Sequence, residues 1–148
     1  MKKVFLDTNV VLDFILKREG FAKDTALIFD LGERKKLELC ISSLSVNNID
    51  YVVSKIESAK KSKEIILRLL SLVDILSVGK STVEKAVMSE FKDFEDALQN
   101  FCAAEADIPL IVTRNLKDYK KSSLSILSPK EFLIAYELDE QTTSPPGE

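Results

Sequence analysis

The sequence predicts an α/β domain built on a mainly parallel sheet, on three observations. Short apolar runs, such as Val4-Phe5-Leu6 and Leu110-Ile111-Val112, alternate with longer stretches whose apolar residues recur at helical spacing. Alternating strands and helices call for right-handed crossovers, which put helices over both faces of the sheet. The first strand also runs straight into a carboxylate, Asp7, and then into an apolar helix. An acid placed there sits at the carboxyl edge, where open parallel sheets bind ligands.

Lys2 to Leu6 reads as a buried strand, and Val10 to Leu16 as a short apolar helix ended by the polar run Lys17 to Gly20. Phe21 to Lys35 carries Ala22, Ala26, Phe29 and Leu31 among charges, an amphipathic helix pattern. Leu37 to Ile41 is the second strand. Ser42 to Ser45 can cap a helix through Val46, Ile49, Val52, Val53 and Ile56. Ser58 to Lys63 reads as a basic connection into a helix carrying Ile65, Ile66, Leu69 and Leu70. Val73 to Val78 is the third strand, punctuated by Gly79. Ser81 to Met88 reads as a helix with Val83, Val87 and Met88 as its apolar face. Phe94, Ala97, Leu98 and Phe101 form the buried stripe of the next helix. Pro109 announces a fourth strand, Leu110 to Thr113, and Ser125 to Leu127 is a short fifth. Pro129 opens a last helix at its favoured first position, with Phe132, Leu133 and Tyr136 inward. Residues 1–138 make one domain without internal repeats. The tail 139–148, with its threonines, Ser144, Pro145 and Pro146, is expected to be disordered.

At 148 residues the chain can bury a core without disulfide or metal staples. Its two cysteines, Cys40 and Cys102, lie in apolar surroundings and read as buried thiols, which suits a reducing, cytoplasmic setting. No secretory signal and no membrane-spanning run is present in the sequence. Histidine is absent, so imidazole-based nucleophile systems and imidazole-ligated zinc cannot be built. No glycine-rich phosphate loop occurs. The net charge of −3 argues against nonspecific nucleic-acid binding by overall charge, though not against a local basic patch.

Chemistry is left to carboxylates, hydroxyls, lysines or a hard metal. Asp93-Phe94-Glu95-Asp96-Ala97-Leu98 places Asp93 as a helix N-cap and Asp96 in the first turn, an arrangement that local capping alone explains. Thr113-Arg114-Asn115-Leu116-Lys117-Asp118-Tyr119 follows the fourth strand, and a polar loop is its plain alternative. After the second strand, Asn48 lies one turn into a helix near the same edge, where a solvated face is the default. Gathering Asp7, Asp96 and Asp118 is unfavourable on its own. Two carboxylates about 4 Å apart repel by about 4 kcal/mol at an effective dielectric near 20. A divalent cation reverses that sign, and hard oxygen ligands select magnesium or manganese.

The opening Val4-Phe5-Leu6-Asp7-Thr8-Asn9-Val10-Val11-Leu12, with the Asp96 and Asp118 segments in this order, resembles a PIN domain, and more narrowly the VapC-type toxin ribonucleases. The resemblance spans Lys2 to about Tyr136. It implies a three-layer α/β/α sandwich with a five-stranded sheet of order 3-2-1-4-5, and hydrolysis of RNA phosphodiesters with Mg²⁺ or Mn²⁺. It further implies that Asp7, Asp96 and Asp118 are catalytic metal ligands, with Thr8, Asn9, Thr113 and Asn115 as supporting polar groups. A homodimer and a small antitoxin partner are implied as well. Arg114, Lys117, Lys120 and Lys121, beside Asp118, are the candidates for RNA phosphate contact. Lys55, Lys60, Lys61, Lys63 and Arg68 form a second basic region, read as a solvated face.

One departure matters. Most relatives carry a glutamate where Asn48 stands, so this pocket holds one negative charge fewer and Asn48→Glu is expected to tighten manganese binding. The departure keeps a second reading open, a catalytically weak PIN-fold module that binds RNA or protein. A third reading is a phosphatase or phosphoryl-acceptor domain; its phosphatase type needs a carboxylate two residues after Asp7 as general acid, where the chain has Asn9.

Overall fold

The computed structural model describes residues 1–143 of the chain. Five strands form one parallel sheet: β1 (Lys2–Leu6), β2 (Leu37–Ser42), β3 (Asp74–Leu76), β4 (Leu110–Val112) and β5 (Ser125–Leu127), in the order β3-β2-β1-β4-β5. The order expected from the resemblance is the one observed. It reverses between β1 and β4, the topological switch point of an open sheet. In register, Phe5 of β1 lies beside Cys40 of β2 and Ile111 of β4.

Among the described residues, seven α-helices complete the fold: α1 (Thr8–Ile15), α2 (Ala22–Glu33), α3 (Ser43–Ile56), α4 (Ala59–Leu69), α5 (Lys80–Met88), α6 (Phe94–Glu105) and α7 (Pro129–Thr143). Strand side chains alternate between two faces. Val4, Leu6, Leu39, Ile41, Leu110 and Val112 point to one face, into a core shared with Val10 and Val11 of α1, Ile28 and Phe29 of α2, Ile49 and Val53 of α3 and Phe132 of α7. Phe5, Cys40 and Ile111 point to the other, against Cys102 and Ala103 of α6 and Tyr119. Layers on both faces make the three-layer sandwich. Both cysteines are buried and free. No helix among the described residues is long and apolar enough to cross a membrane.

Glycine matters structurally in α2. A Cβ on Gly32 would lie 2.6 Å from Leu39 Cδ1, so the missing side chain lets α2 settle onto β2.

Several element-level expectations need correction. The stretch read as a connection from Ser58 to Lys63 is the first turn of α4: Ser58 Oγ caps it by accepting from Lys61 N at 3.0 Å. Its inward residue there is Ser62, fully buried and bonded to Asp50 Oδ1 at 2.7 Å, so the turn carries no apolar signal. In α5 the expected apolar face is turned out: Val83, Val87 and Met88 are exposed, whereas Thr82 and Ala86 are buried. Small residues let α5 lie close on α6, and Thr82 Oγ1 bonds Glu105. Phe94 is likewise exposed, because it occupies the outer side of the first turn of α6. The last helix continues through Thr143, past the expected tail boundary at residue 139. The rest of that tail, 144–148, lies outside the described residues.

Candidate functional site

Asp7 is held at the switch point from several sides. Its amide donates to Val112 O at 3.0 Å, tying the end of β1 to β4, and its side chain caps α1. Oδ1 accepts from Thr8 N at 2.8 Å and from Gln99 Nε2 at 3.4 Å. Oδ2 accepts from Thr113 Oγ1 at 2.8 Å and from the Tyr119 hydroxyl at 3.2 Å. Burial raises the Asp7 carboxyl above its usual range, and these donors pull it back. Burial next to Asp7 raises the Tyr119 phenol, which stays a donor.

The start of α6 delivers more acids. Asp93 caps the helix, accepting from Asp96 N at 3.0 Å, and this presents Glu95 and Asp96 in the first turn. Asp118 comes from the 3₁₀ turn Leu116–Tyr119 after β4. These groups line one cavity of about 390 Å³ together with Asp7. Asp96 is pushed up to about 7, first by burial and then by the charges of Asp7, Asp93, Asp118 and Glu95. The lining cation, Arg18, is already 3.4 Å from Asp13. The cavity therefore concentrates carboxylate charge, with Asp7, Asp93, Glu95, Asp96 and Asp118 set against Arg18 alone among the described lining residues.

That donor set fits a hard divalent ion, because every carboxylate and amide at the cavity offers oxygen and none offers sulfur or imidazole. The three expected ligands are not drawn into contact. Among the described residues, the acidic group with ligand atoms all within 4.8 Å of one another is Glu38, Cys40 and Asp74, in β2 and β3. There burial pushes the Cys40 thiol up to about 11, which keeps it protonated at neutral pH. The wider spacing around Asp7 suits an ion that keeps several of its waters.

The other expected residues fall in distinct places. Thr8 turns inward: its Oγ1 lies 2.7 Å from Ser45 Oγ and accepts from Gln99. Asn9 reaches Thr113 Oγ1 at 3.4 Å through Nδ2 and accepts from Arg114 N at 3.3 Å. Asn115 lines the cavity, and its amide donates to Thr113 Oγ1 at 3.0 Å. Asn48, half-buried, donates to Glu95 Oε1 at 2.6 Å. Lys117, Lys120 and Lys121 line a neighbouring cleft of about 440 Å³ that shares Asp93 and Asp118 with the cavity. Arg114 does not join them. Its guanidinium stacks on Phe21 at 4.0 Å, and Nη2 bonds the fully buried Asp13 at 3.1 Å. Nε lies 2.7 Å from Asp13 Oδ2, an ionic contact without an aligned hydrogen bond. Arg114 is committed to this ion pair, which corrects its expected place among the lysines.

Three residues of the site had no role in the sequence reading: Glu95, which lines the cavity, and the buried Gln99 and Tyr119, which bond Asp7. Gln99 is fully buried and links Asp7, Thr8, Ser45 and Ser42. A signal did exist. An amide three residues after Asp96, among inward positions of α6, must find partners if buried.

A sequence profile described as a PIN domain matches residues 3–117. Ribonuclease VapC1 of Aquifex aeolicus (strain VF5) is 32% identical over 136 residues, spanning 88% of this chain and 93% of that protein. Among solved structures, DNA-bound VapBC from Salmonella typhimurium superposes with a TM-score of 0.68 at 18% identity, over 87% of this chain and 99% of that one. VapBC2 from Rickettsia felis, bound to a DNA fragment from its promoter, gives 0.66 at 20% identity, over 85% and 98%. With the family profile and that relative both spanning most of its length, the chain belongs to the PIN domain family, on its VapC-like side.

Proposed function

We propose that this protein is a divalent-metal-dependent endoribonuclease, acting as the toxin of a toxin–antitoxin pair. The observation that carries the reading is the excess of carboxylates in the cavity at the β1/β4 switch point, beside a lysine-lined cleft. The relative named as a ribonuclease and the VapBC neighbours support it. Asp7, Asp96 and Asp118 are the residues that would hold Mg²⁺ or Mn²⁺, directly or through water. A bound ion would supply Lewis acidity for attack by water on phosphorus and would screen the phosphoryl charge.

The chain's own residues do the rest. Thr113, Tyr119 and Gln99 fix both oxygens of Asp7, so the carboxylate need not reorganise when substrate arrives. Asp96, whose carboxyl is pushed up to about 7 by burial and neighbouring charges, would release its proton as the ion binds. Lys117 and Lys120 would take the phosphates flanking the scissile bond. A small antitoxin and a second copy of the chain are the proposed partners.

Cleavage of mixed RNA in Mn²⁺, lost by at least 100-fold in Asp7→Asn, tests the reading. Undiminished cleavage by that variant would overturn it. Asn48 favours a second reading, a PIN-fold module that binds RNA without cutting it. Retained RNA binding with no cleavage by the wild type would select that one.

A further inference from the structure

We propose that Glu95, held by Asn48, supplies the cation site with the negative charge that position 48 lacks. The inference rests on the metal-dependent reading above. Position 48 sits one turn into α3, and its side chain lines the cavity. An amide there cannot neutralise a cation. Its Nδ2 instead donates to Glu95 Oε1 at 2.6 Å, a charge-assisted bond between α3 and α6. The carboxylate stands one residue before Asp96 and lines the same cavity as Asp7 and Asp118. Glu95 forms no ion pair with lysine or arginine among the described residues, so Asn48 is the partner that orients it. Burial and the charges of Asp7 and Asp93 raise its carboxyl, the response of a group that faces the other acids across the cavity.

The sequence predicts that Asn48→Glu alone tightens Mn²⁺ binding; the geometry reverses this. A glutamate at 48 would put a second carboxylate within hydrogen-bonding reach of Glu95, and the two would repel. Charge can move between the helices only if both positions change. The Glu95 carboxylate thus acts on the ion through its negative charge.

The test is Mn²⁺ affinity, read by titration calorimetry and by the electron paramagnetic resonance signal of free Mn²⁺, without RNA. Thermal unfolding in chelator checks that each variant is folded. Glu95→Gln is expected to bind Mn²⁺ about 10-fold more weakly than wild type. Asn48→Glu with Glu95→Gln returns the affinity to within about 3-fold, and Asn48→Glu alone gains nothing. Wild-type affinity in Glu95→Gln, with binding lost in Asp7→Asn, would overturn the role of Glu95 and leave the metal site standing. A swap variant no better than Glu95→Gln would also overturn it. Absence of Mn²⁺ binding by the wild type would overturn the inference together with the reading beneath it.

Discussion

Asp13 shows how one buried side chain can organise its surroundings without touching the chemistry. Its side chain is wholly buried in α1 and faces two arginines, Arg18 at 3.4 Å and Arg114 at 2.7 Å. The pair pins the segment after β4 against α1, next to Asn9 and Asn115. Breaking a fully buried ion pair costs about 3–5 kcal/mol. Both arginines here keep some access to water, 36% and 29% of their side-chain surface, so the cost is smaller. Asp13→Asn is expected to destabilise the protein by about 2 kcal/mol. Urea unfolding measures this, and a loss below about 0.5 kcal/mol would mean that the arginines carry no structural load. The three aspartates were legible in the sequence because each follows a strand or opens a helix. The role of Arg114 was not, because Asp13 lies 101 positions earlier in the chain and only the fold brings the two together.

Among the elements, α2 sets two effects of opposite sign against each other. Gly32→Ala would gain about 1 kcal/mol in helix propensity. The new methyl would stand 2.6 Å from Leu39 Cδ1 and 2.9 Å from its Cγ, and Leu39 is 2% exposed in the main core. Overpacking a filled core costs about 1–3 kcal/mol. The clash wins, so Gly32→Ala should lower stability by about 1 kcal/mol net, and a raised melting temperature would contradict it. Periodicity placed the helices well but not always their faces. In α5 the larger apolar residues Val83, Val87 and Met88 suggested the inner face. The close approach of α6 selected Thr82 and Ala86 instead, because only small side chains fit there. The first turn of α4 was hidden for a related reason, since its buried contact is the polar Ser62–Asp50 bond.

Across the whole molecule, the cavity trades stability for charge. Burial raises Asp7, and burial together with repulsion from neighbouring acids raises Glu95 and Asp96. The folded protein thus holds protons that the unfolded chain releases, so without metal its stability falls as pH climbs. For Asp96 the loss begins near its ordinary value of 3.8, continues to about 7 and is complete above that. Unfolding in chelator should show lower stability at pH 8 than at pH 5.5, with a shallower slope in Asp96→Asn. An unchanged slope in that variant would refute this origin. Saturating Mn²⁺ should reverse the trend at pH 8, stabilising the wild type by about 2.7 kcal/mol at 100 times the dissociation constant. No rise in melting temperature with Mn²⁺ would count against a built cation site.

What could be read from the linear chain was local: where strands and helices lie, and which acids close a strand or open a helix, because spacing and capping act over a few residues. Convergence belonged to the fold. The sheet order brings β1 beside β4 and carries α6 over them, and so delivers Gln99 and Tyr119 to Asp7 and Glu95 to Asn48. Such contacts join positions 47 to 112 residues apart. Hydrogen-bond partners at that range depend on packing geometry, which no local pattern encodes.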